Sequence, residues 1–243
     1  MTHKLKKDIG RPSNMVQTLK KLVATKLAIP LQKRLTQQQK EDGKKSQPTN
    51  NMGLYSASGG RKYLNAAERK RFIAALSHIP PKPRVFCLVL LWSGCRITEA
   101  LSLTASAIDL ESGVASFETL KRRMRGVVRQ VPLPPWVLKE LNEVFDLHAR
   151  QRNPRLAFDR LWPWSRSTAW RYVKRVMRAA DISGCLASPK GLRHAFGVAA
   201  FQVVPPHLVQ RWLGHASLRT TAIYGSVSGP EERDFAGRMW SSR

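Results

Sequence analysis

Tyr224 closes the stretch LVQRWLGHASLRTTAIY, nine residues after the histidine of a Gly-His pair, His215, with the two on separate helical segments. Upstream, SPKGLRHAF gathers Lys190, Arg193 and His194 at one helix start behind Pro189, and SGCRITEA places Arg96 just past a long apolar run. Arginines this close to a core are costly unless each meets an anion. Phosphate fits that need, because a guanidinium donates hydrogen bonds in a planar fork. No group of Asp and Glu with the spacing of a metal site accompanies these residues, and what they suggest by themselves is a set of cations gathered on a phosphate.

The elements that must position these residues are legible in outline. LNAAERKRFIAAL predicts a helix with Asn65 as N-cap and Glu68 three positions later, a capping-box variant. Pro80, Pro81 and Pro83 end it, and VFCLVLLWSG predicts a buried helix stopping at Gly94. In CRITEALSLT, Arg96 and Glu99 stand three apart on one helical face, which makes Glu99 an ion-pair or capping partner and not a catalytic acid. Ile108–Leu110, Val114–Thr119 and Val127–Pro132 are short and β-prone, a small antiparallel sheet. Helical patterns resume in WVLKELNEVFDLHAR, in STAWRYVKRVMRAADI and from Leu192 onward. The expected fold class is mainly α with one three-stranded antiparallel sheet (α+β), in one catalytic domain over residues 63–225.

Residues 1–62 read differently. Met15, Leu19, Leu22, Val23 and Leu27 recur at spacings of three and four, a short basic amphipathic helix stopped near Pro30. From Gln37 to Lys62 the chain is polar and reads as a linker. Residues 226–243 read as a tail helix beginning at Pro230, with Phe235, Met239 and Trp240 on its apolar face. Lys and Arg number 42 against 16 Asp and Glu, a net charge of +26. Such a surface repels itself unless a polyanion is near, and nucleic acid is the expected partner because bound phosphates release counterions. Three cysteines without CxxC spacing suggest neither a disulfide framework nor a zinc knuckle. No apolar run approaches the ~20 residues of a membrane span, and the expected location is cytoplasmic.

The order G-x-R-x-x-E-A-L, a hairpin lysine, P-K-x-L-R-H-x-F and L-G-H-x-S-x-x-T-T-x-x-Y resembles the catalytic domain of the tyrosine recombinases, the phage integrase family. The resemblance runs in order from about Tyr63 to Tyr224. It implies a site-specific DNA recombinase that cuts and rejoins strands through a 3′-phosphotyrosyl bond, without metal or ATP. By that resemblance Arg96 and Arg193 grip the scissile phosphate, and Lys121, the only lysine of its hairpin, protonates the leaving 5′-oxygen. His215 hydrogen-bonds a phosphate oxygen, and Tyr224 is the nucleophile. Lys190 stands where many relatives have histidine, as acid/base or as phosphate donor. The surrounding cations suit a phenol, which with a pKa near ~10 is a poor nucleophile at neutral pH.

Arg122, Arg123 and Arg125 of the hairpin, and Arg166, Ser167, Arg171 and Lys174 around STAWRYVKRVMRAA, are candidate DNA contacts. Trp170, Val173, Met177 and Ala180 form the apolar stripe of that helix, turning its basic residues outward. His194 reads as a helix-start hydrogen bond that steadies Arg193; Trp92, Trp212 and Trp240 read as packing residues. Many relatives carry a helical domain ahead of the catalytic one, which the polar residues 1–62 do not match. The chain therefore resembles the short recombinases, with the Met15–Leu27 helix replacing part of the clamp. The resemblance also implies double-stranded DNA bearing a specific site, a tetramer of two dimers on DNA, accessory DNA-bending proteins, and a tail that docks on a neighbouring protomer. A catalytically silent DNA-binding accessory and a type IB topoisomerase-like enzyme share the fold and stay open as alternatives.

Overall fold

A computed structural model describes residues 53–118, 127–227, 232–233 and 236–237. The helices among them are α1 (Ala66–Ala75), α2 (Pro81–Ser93), α3 (Ile97–Leu101), α4 (Pro135–Phe145), α5 (Leu147–Arg152), α6 (Arg166–Ala179), α7 (Pro189–Phe201), α8 (Pro206–Leu213) and α9 (Leu218–Ala222). Short 3-10 turns join them at Leu76–His78, Ala105–Ala107, Gly184–Leu186 and Ile223–Gly225. The strands β1 (Ile108–Asp109), β2 (Val114–Glu118) and β3 (Val128–Pro132) form one antiparallel sheet in that order. The expected class, helical with a three-stranded sheet, is what the chain adopts.

Helix α2 organises the core. It is apolar all round, with Val85 through Leu91 buried, so it must be enclosed rather than lie on a surface. It packs most closely against α7 and α4, and also touches α3 and α6. Trp162 is fully buried beside it, edge-on to Phe86 and Phe145, and its indole N–H donates to the Lys82 carbonyl at 2.9 Å. The helix begins at Pro81 itself, where a fixed φ and a missing N–H cost nothing. It ends at Gly94 in the left-handed region, φ 60°, where a Cβ would come within 2.4 Å of the Phe196 ring.

Local signals placed the other elements. Asn65 accepts from the Glu68 N–H and Glu68 returns a bond to the Asn65 N–H, both at 2.8 Å, a capping box as expected. Asn65→Ala should cost about 1 kcal/mol in chemical denaturation, the ordinary loss for an N-cap. Ser165 and Ser188 cap α6 and α7 through their side chains alone, accepting from the Thr168 and Gly191 N–H groups.

Three features differ from expectation. The stretch WVLKELNEVFDLHAR is two helices, because Asp146 takes φ 49° and its carboxylate then caps α5 through the Ala149 N–H. Residues 53–62, read as linker, form a tight turn on the core: Tyr55 bridges Arg61, Lys62 N–H donates to the Leu54 carbonyl at 2.8 Å, and Leu54 and Tyr63 are buried. Trp170 does not join the buried stripe of α6. Ala169, Val173, Val176 and Met177 do, and Trp170 is about half exposed. The helix expected at Met15–Leu27, the hairpin residues 119–126 and most of the expected tail helix, Trp240 included, lie outside the described residues.

Candidate active site

Four segments of chain converge on one cavity of about 850 Å³. The turn after α2 brings Arg96, the first turn of α7 brings Lys190, Arg193 and His194, the end of α8 brings His215, and the 3-10 turn after α9 brings Tyr224. Arg166 and Trp170 of α6 complete the wall. Five of the six expected catalytic residues are therefore together. Lys121, with Arg122, Arg123 and Arg125, lies outside the described residues.

The arginines are held before any ligand arrives. Arg96 caps the start of α3; its backbone N–H and its Nη1 each donate to the Glu99 carboxylate at 2.7 Å. Glu99 is fully buried and accepts a further bond from Arg129 Nη2 at 2.6 Å. Burial pushes the Glu99 carboxyl up, but Arg129 first, and then Arg96, outweigh it and hold it below the ordinary value. Arg193 is buried and donates from Nη1 to the Gly94 carbonyl at 2.6 Å and from Nη2 to the Leu213 carbonyl at 2.7 Å. Arg129 Nε donates to the Trp212 carbonyl at 2.7 Å. Two guanidiniums thus occupy successive carbonyls at the C-terminus of α8, where cations are favoured by the helix dipole. Arg193 has five N–H groups, so these two bonds leave others to face the cavity. Burial lowers its pKa to about 10, with Arg96 adding to the effect, and it remains charged at neutral pH.

Tyr224 is buried, and its ring lies over Gly197 of α7: a Cβ there would stand 2.4 Å from Cζ of the tyrosine. The ring stacks parallel to that of His215, with centroids 6.1 Å apart. His215 Nδ1 is 2.9 Å from the Thr221 hydroxyl, which fixes that edge of the imidazole. Burial, then Arg193 and Arg96, push the His215 pKa down to about 3, so it is a neutral imidazole at ordinary pH. Burial raises the Tyr224 phenol, and the positive charges of Arg193 and Arg96 pull against that rise.

Gly197→Ala sets a steric cost of about 1–3 kcal/mol from overpacking against the gain of about 1 kcal/mol that alanine brings to a helix. The expected result is a net loss of stability with the Tyr224 ring displaced. Nitration by tetranitromethane, mapped by mass spectrometry, should then reach Tyr224 faster than in the parent chain.

The outer contacts divide. Arg166, Ser167 and Arg171 are exposed. Arg166 lines the cavity, while Arg171 reaches Thr168 Oγ1 at 3.3 Å. Lys174 is half-buried; its ammonium donates to the Ala187 carbonyl at 3.0 Å and sits 5.6 Å from the Trp170 ring centre, so it steadies the wall. His194 does not steady Arg193 as expected: its Nδ1 lies 3.3 Å from Tyr224 Oη.

Sequence reading missed Arg129, Gly197 and Trp170 as parts of this site. The strand alternation carried a signal for the first, since Arg129 shares the inward face with buried Val131. A glycine inside the apolar run of α7 was the signal for the second. Trp170 fits a helical stripe equally well from either edge, so spacing did not reveal its exposure.

The described residues form a mainly helical domain with a three-stranded sheet that encloses a tyrosine and a histidine among guanidiniums. Residues 62–229 match the phage integrase family, and the chain belongs to that family, the tyrosine recombinases. It is 28% identical over 188 residues to tyrosine recombinase XerA of Pyrococcus furiosus, covering 73% of this chain and 61% of that protein. It is 32% identical over 139 residues to tyrosine recombinase XerD of Neisseria meningitidis, covering 56% and 47%. Among solved structures, that of XerA recombinase superposes with a TM-score of 0.62 at 25% identity, over 73% of this chain and 64% of that one. XerH bound to its difH substrate after cleavage shares the fold, with a TM-score of 0.59 at 23% identity, over 79% and 58%. The chain spans about six-tenths of the length of the XerA relative. Among the described residues, no helix is long and apolar enough to cross a membrane.

Proposed function

We propose that this chain is a site-specific DNA recombinase that breaks and rejoins strands through Tyr224. The observation that carries the reading is the convergence of Arg96, Lys190, Arg193, His215 and Tyr224 from separate segments on one cavity. A phosphodiester in that cavity meets the free N–H groups of Arg96 and Arg193 and the unpaired edge of the His215 ring. Tyr224 Oη attacks phosphorus, the P–O5′ bond breaks, and the 5′-oxygen leaves with a proton from the hairpin lysine, Lys121. The 3′-phosphotyrosyl bond keeps the energy of the broken linkage, so a 5′-hydroxyl of a second duplex reverses the attack without ATP. The fixed guanidiniums meet the charge of the pentavalent transition state without reorganising, and they supply the electrostatics that metal ions supply elsewhere.

The reading extends outward. Arg122, Arg123, Arg125, Arg166, Ser167 and Arg171 contact the duplex, with Lys174 supporting the wall behind them. The helix expected at Met15–Leu27 takes the place of part of a clamp, residues 63–225 with the adjoining turn at 53–62 form the catalytic domain, and residues 226–243 dock on a neighbour in a tetramer of two dimers. The net charge of +26 supports DNA as the partner.

The test is a mixture of the chain with nicked duplex fragments from around its own gene, in EDTA. A covalent protein–DNA band on a denaturing gel, with the protein on the 3′-phosphate, is the expected result. Tight binding with no band on any fragment would favour a silent accessory protein. With a supercoiled plasmid in place of the fragments, relaxation without strand exchange would favour a topoisomerase.

A further inference from the structure

One face of α7 is built for the tyrosine. His194 and Gly197 stand three residues apart on it; the glycine gives the ring room and the histidine meets the hydroxyl. His194 Nδ1 lies 3.3 Å from Tyr224 Oη, and the two rings are 5.9 Å apart at 56°, so the contact is edgewise through the nitrogen. His194 Nε2 is buried and has no hydrogen-bond partner. An imidazole sealed at one nitrogen and facing a phenol at the other has a single polar task within reach.

We propose that His194 is a catalytic residue, the group that takes the phenolic proton of Tyr224 as its oxygen attacks phosphate and returns it when the strand is rejoined. This rests on the recombinase reading above. The Oη–H bond breaks and its proton moves to Nδ1 while Oη–P forms and P–O5′ breaks. The leaving oxygen takes its proton from a separate acid, so the two transfers occur on opposite sides of phosphorus. In rejoining, a 5′-hydroxyl displaces Tyr224 and the His194 imidazolium gives the proton back. No other reactant is consumed.

The surroundings fit this task. Burial, then Lys190 and Arg193 on the same helix, and Lys62 from the turn before α1, push the His194 pKa down to about 4. The imidazole is therefore neutral at ordinary pH and able to accept. His215 and Tyr224 face it from α8's end and the 3-10 turn. An imidazolium among Lys62, Lys190 and Arg193 is unfavourable in the free chain. A phosphate seated in the cavity brings compensating negative charge, so the base gains strength when substrate is present. That order suppresses ionisation of Tyr224 away from DNA.

The test compares single-turnover adduct formation by the full chain and by His194→Gln, on a nicked duplex that gives the wild-type band. The variant should bind with unchanged affinity and cleave roughly 10²-fold more slowly, the usual worth of a positioned base. Its rate should climb with pH as hydroxide replaces the lost base, while the parent rate stays nearly flat. A duplex with sulfur at the bridging 5′ position supplies a leaving group that needs no proton. It should relieve Lys121→Ala and leave His194→Gln slow. Relief of both variants, or equal rates for His194→Gln and parent, overturns the proposal while the recombinase reading stands. No adduct from the parent chain overturns both. If His194→Gln fails to fold, nitrogen-15 NMR of histidine in the free parent chain decides: His194 should be the Nε2–H tautomer, with an Nδ1 signal that moves in Tyr224→Phe. An Nδ1–H tautomer indifferent to that change overturns it.

Discussion

Tyr224→Phe should form no covalent adduct with nicked duplex, a fall of at least roughly 10⁴-fold as expected for removal of a nucleophile, and should bind the same duplex within a few-fold of the parent. The ring is held by packing over Gly197 and beside His215, neither of which needs the hydroxyl. What the substitution removes is the oxygen proposed to attack and its 3.3 Å contact with His194. Its fold should survive, because the hydroxyl leaves little behind: His194 Nδ1 loses one bond, worth about 1 kcal/mol. The measurement is a denaturing gel beside a mobility-shift titration at fixed salt, since affinity for DNA has meaning only at a stated ionic strength. An adduct that persisted in Tyr224→Phe would place the nucleophile elsewhere and refute the assignment.

The largest loss of stability should come from a residue that touches no substrate. Glu99 lies fully buried between two arginines, accepting from Arg96 at 2.7 Å and from Arg129 at 2.6 Å. Glu99→Ala leaves Arg129 buried and short of its counter-charge, and removing one partner of such a pair costs roughly 3–5 kcal/mol. At roughly 2–4 °C per kcal/mol for a domain of this size, the melting temperature should drop by about 6–20 °C. Because the folded Glu99 carboxyl is held below its ordinary 4.5, its contribution is complete above that value and fades as pH falls through the depressed folded pKa. The difference in melting temperature between parent and Glu99→Ala should accordingly be constant near neutrality and shrink in acid. A gap that is independent of pH would mean that the carboxylate charge is not what stabilises the fold.

The sequence carried the order of these groups better than their partners. The α1 capping box, the Gly94 stop and the three short strands were readable because each is written in adjacent residues. So were Arg96, Lys190, Arg193, His215 and Tyr224, whose motifs keep fixed spacings within single helices and turns. The side chains that set the geometry of those residues were not. Arg129 reaches Glu99 across 30 positions and the Trp212 carbonyl across 83, and spacing within one element says nothing about such distances. His194 was assigned to its neighbour Arg193, when in the fold it turns toward a tyrosine 30 residues away. The break at Asp146 was hidden because both halves of that stretch keep helical periodicity, and a single left-handed residue interrupts it.

Arg129 and Arg193 close the carbonyls of Trp212 and Leu213 at the end of α8. Whatever they do for a phosphate, the domain requires them to finish a helix. If Tyr224 and His194 cut DNA as proposed, a descendant that gave up cutting would still be under selection to keep both arginines, whereas those two residues would be released to drift. Within such a lineage, loss of the tyrosine and its histidine would mark retirement from catalysis, and retention of the arginines would record only that the protein still folds.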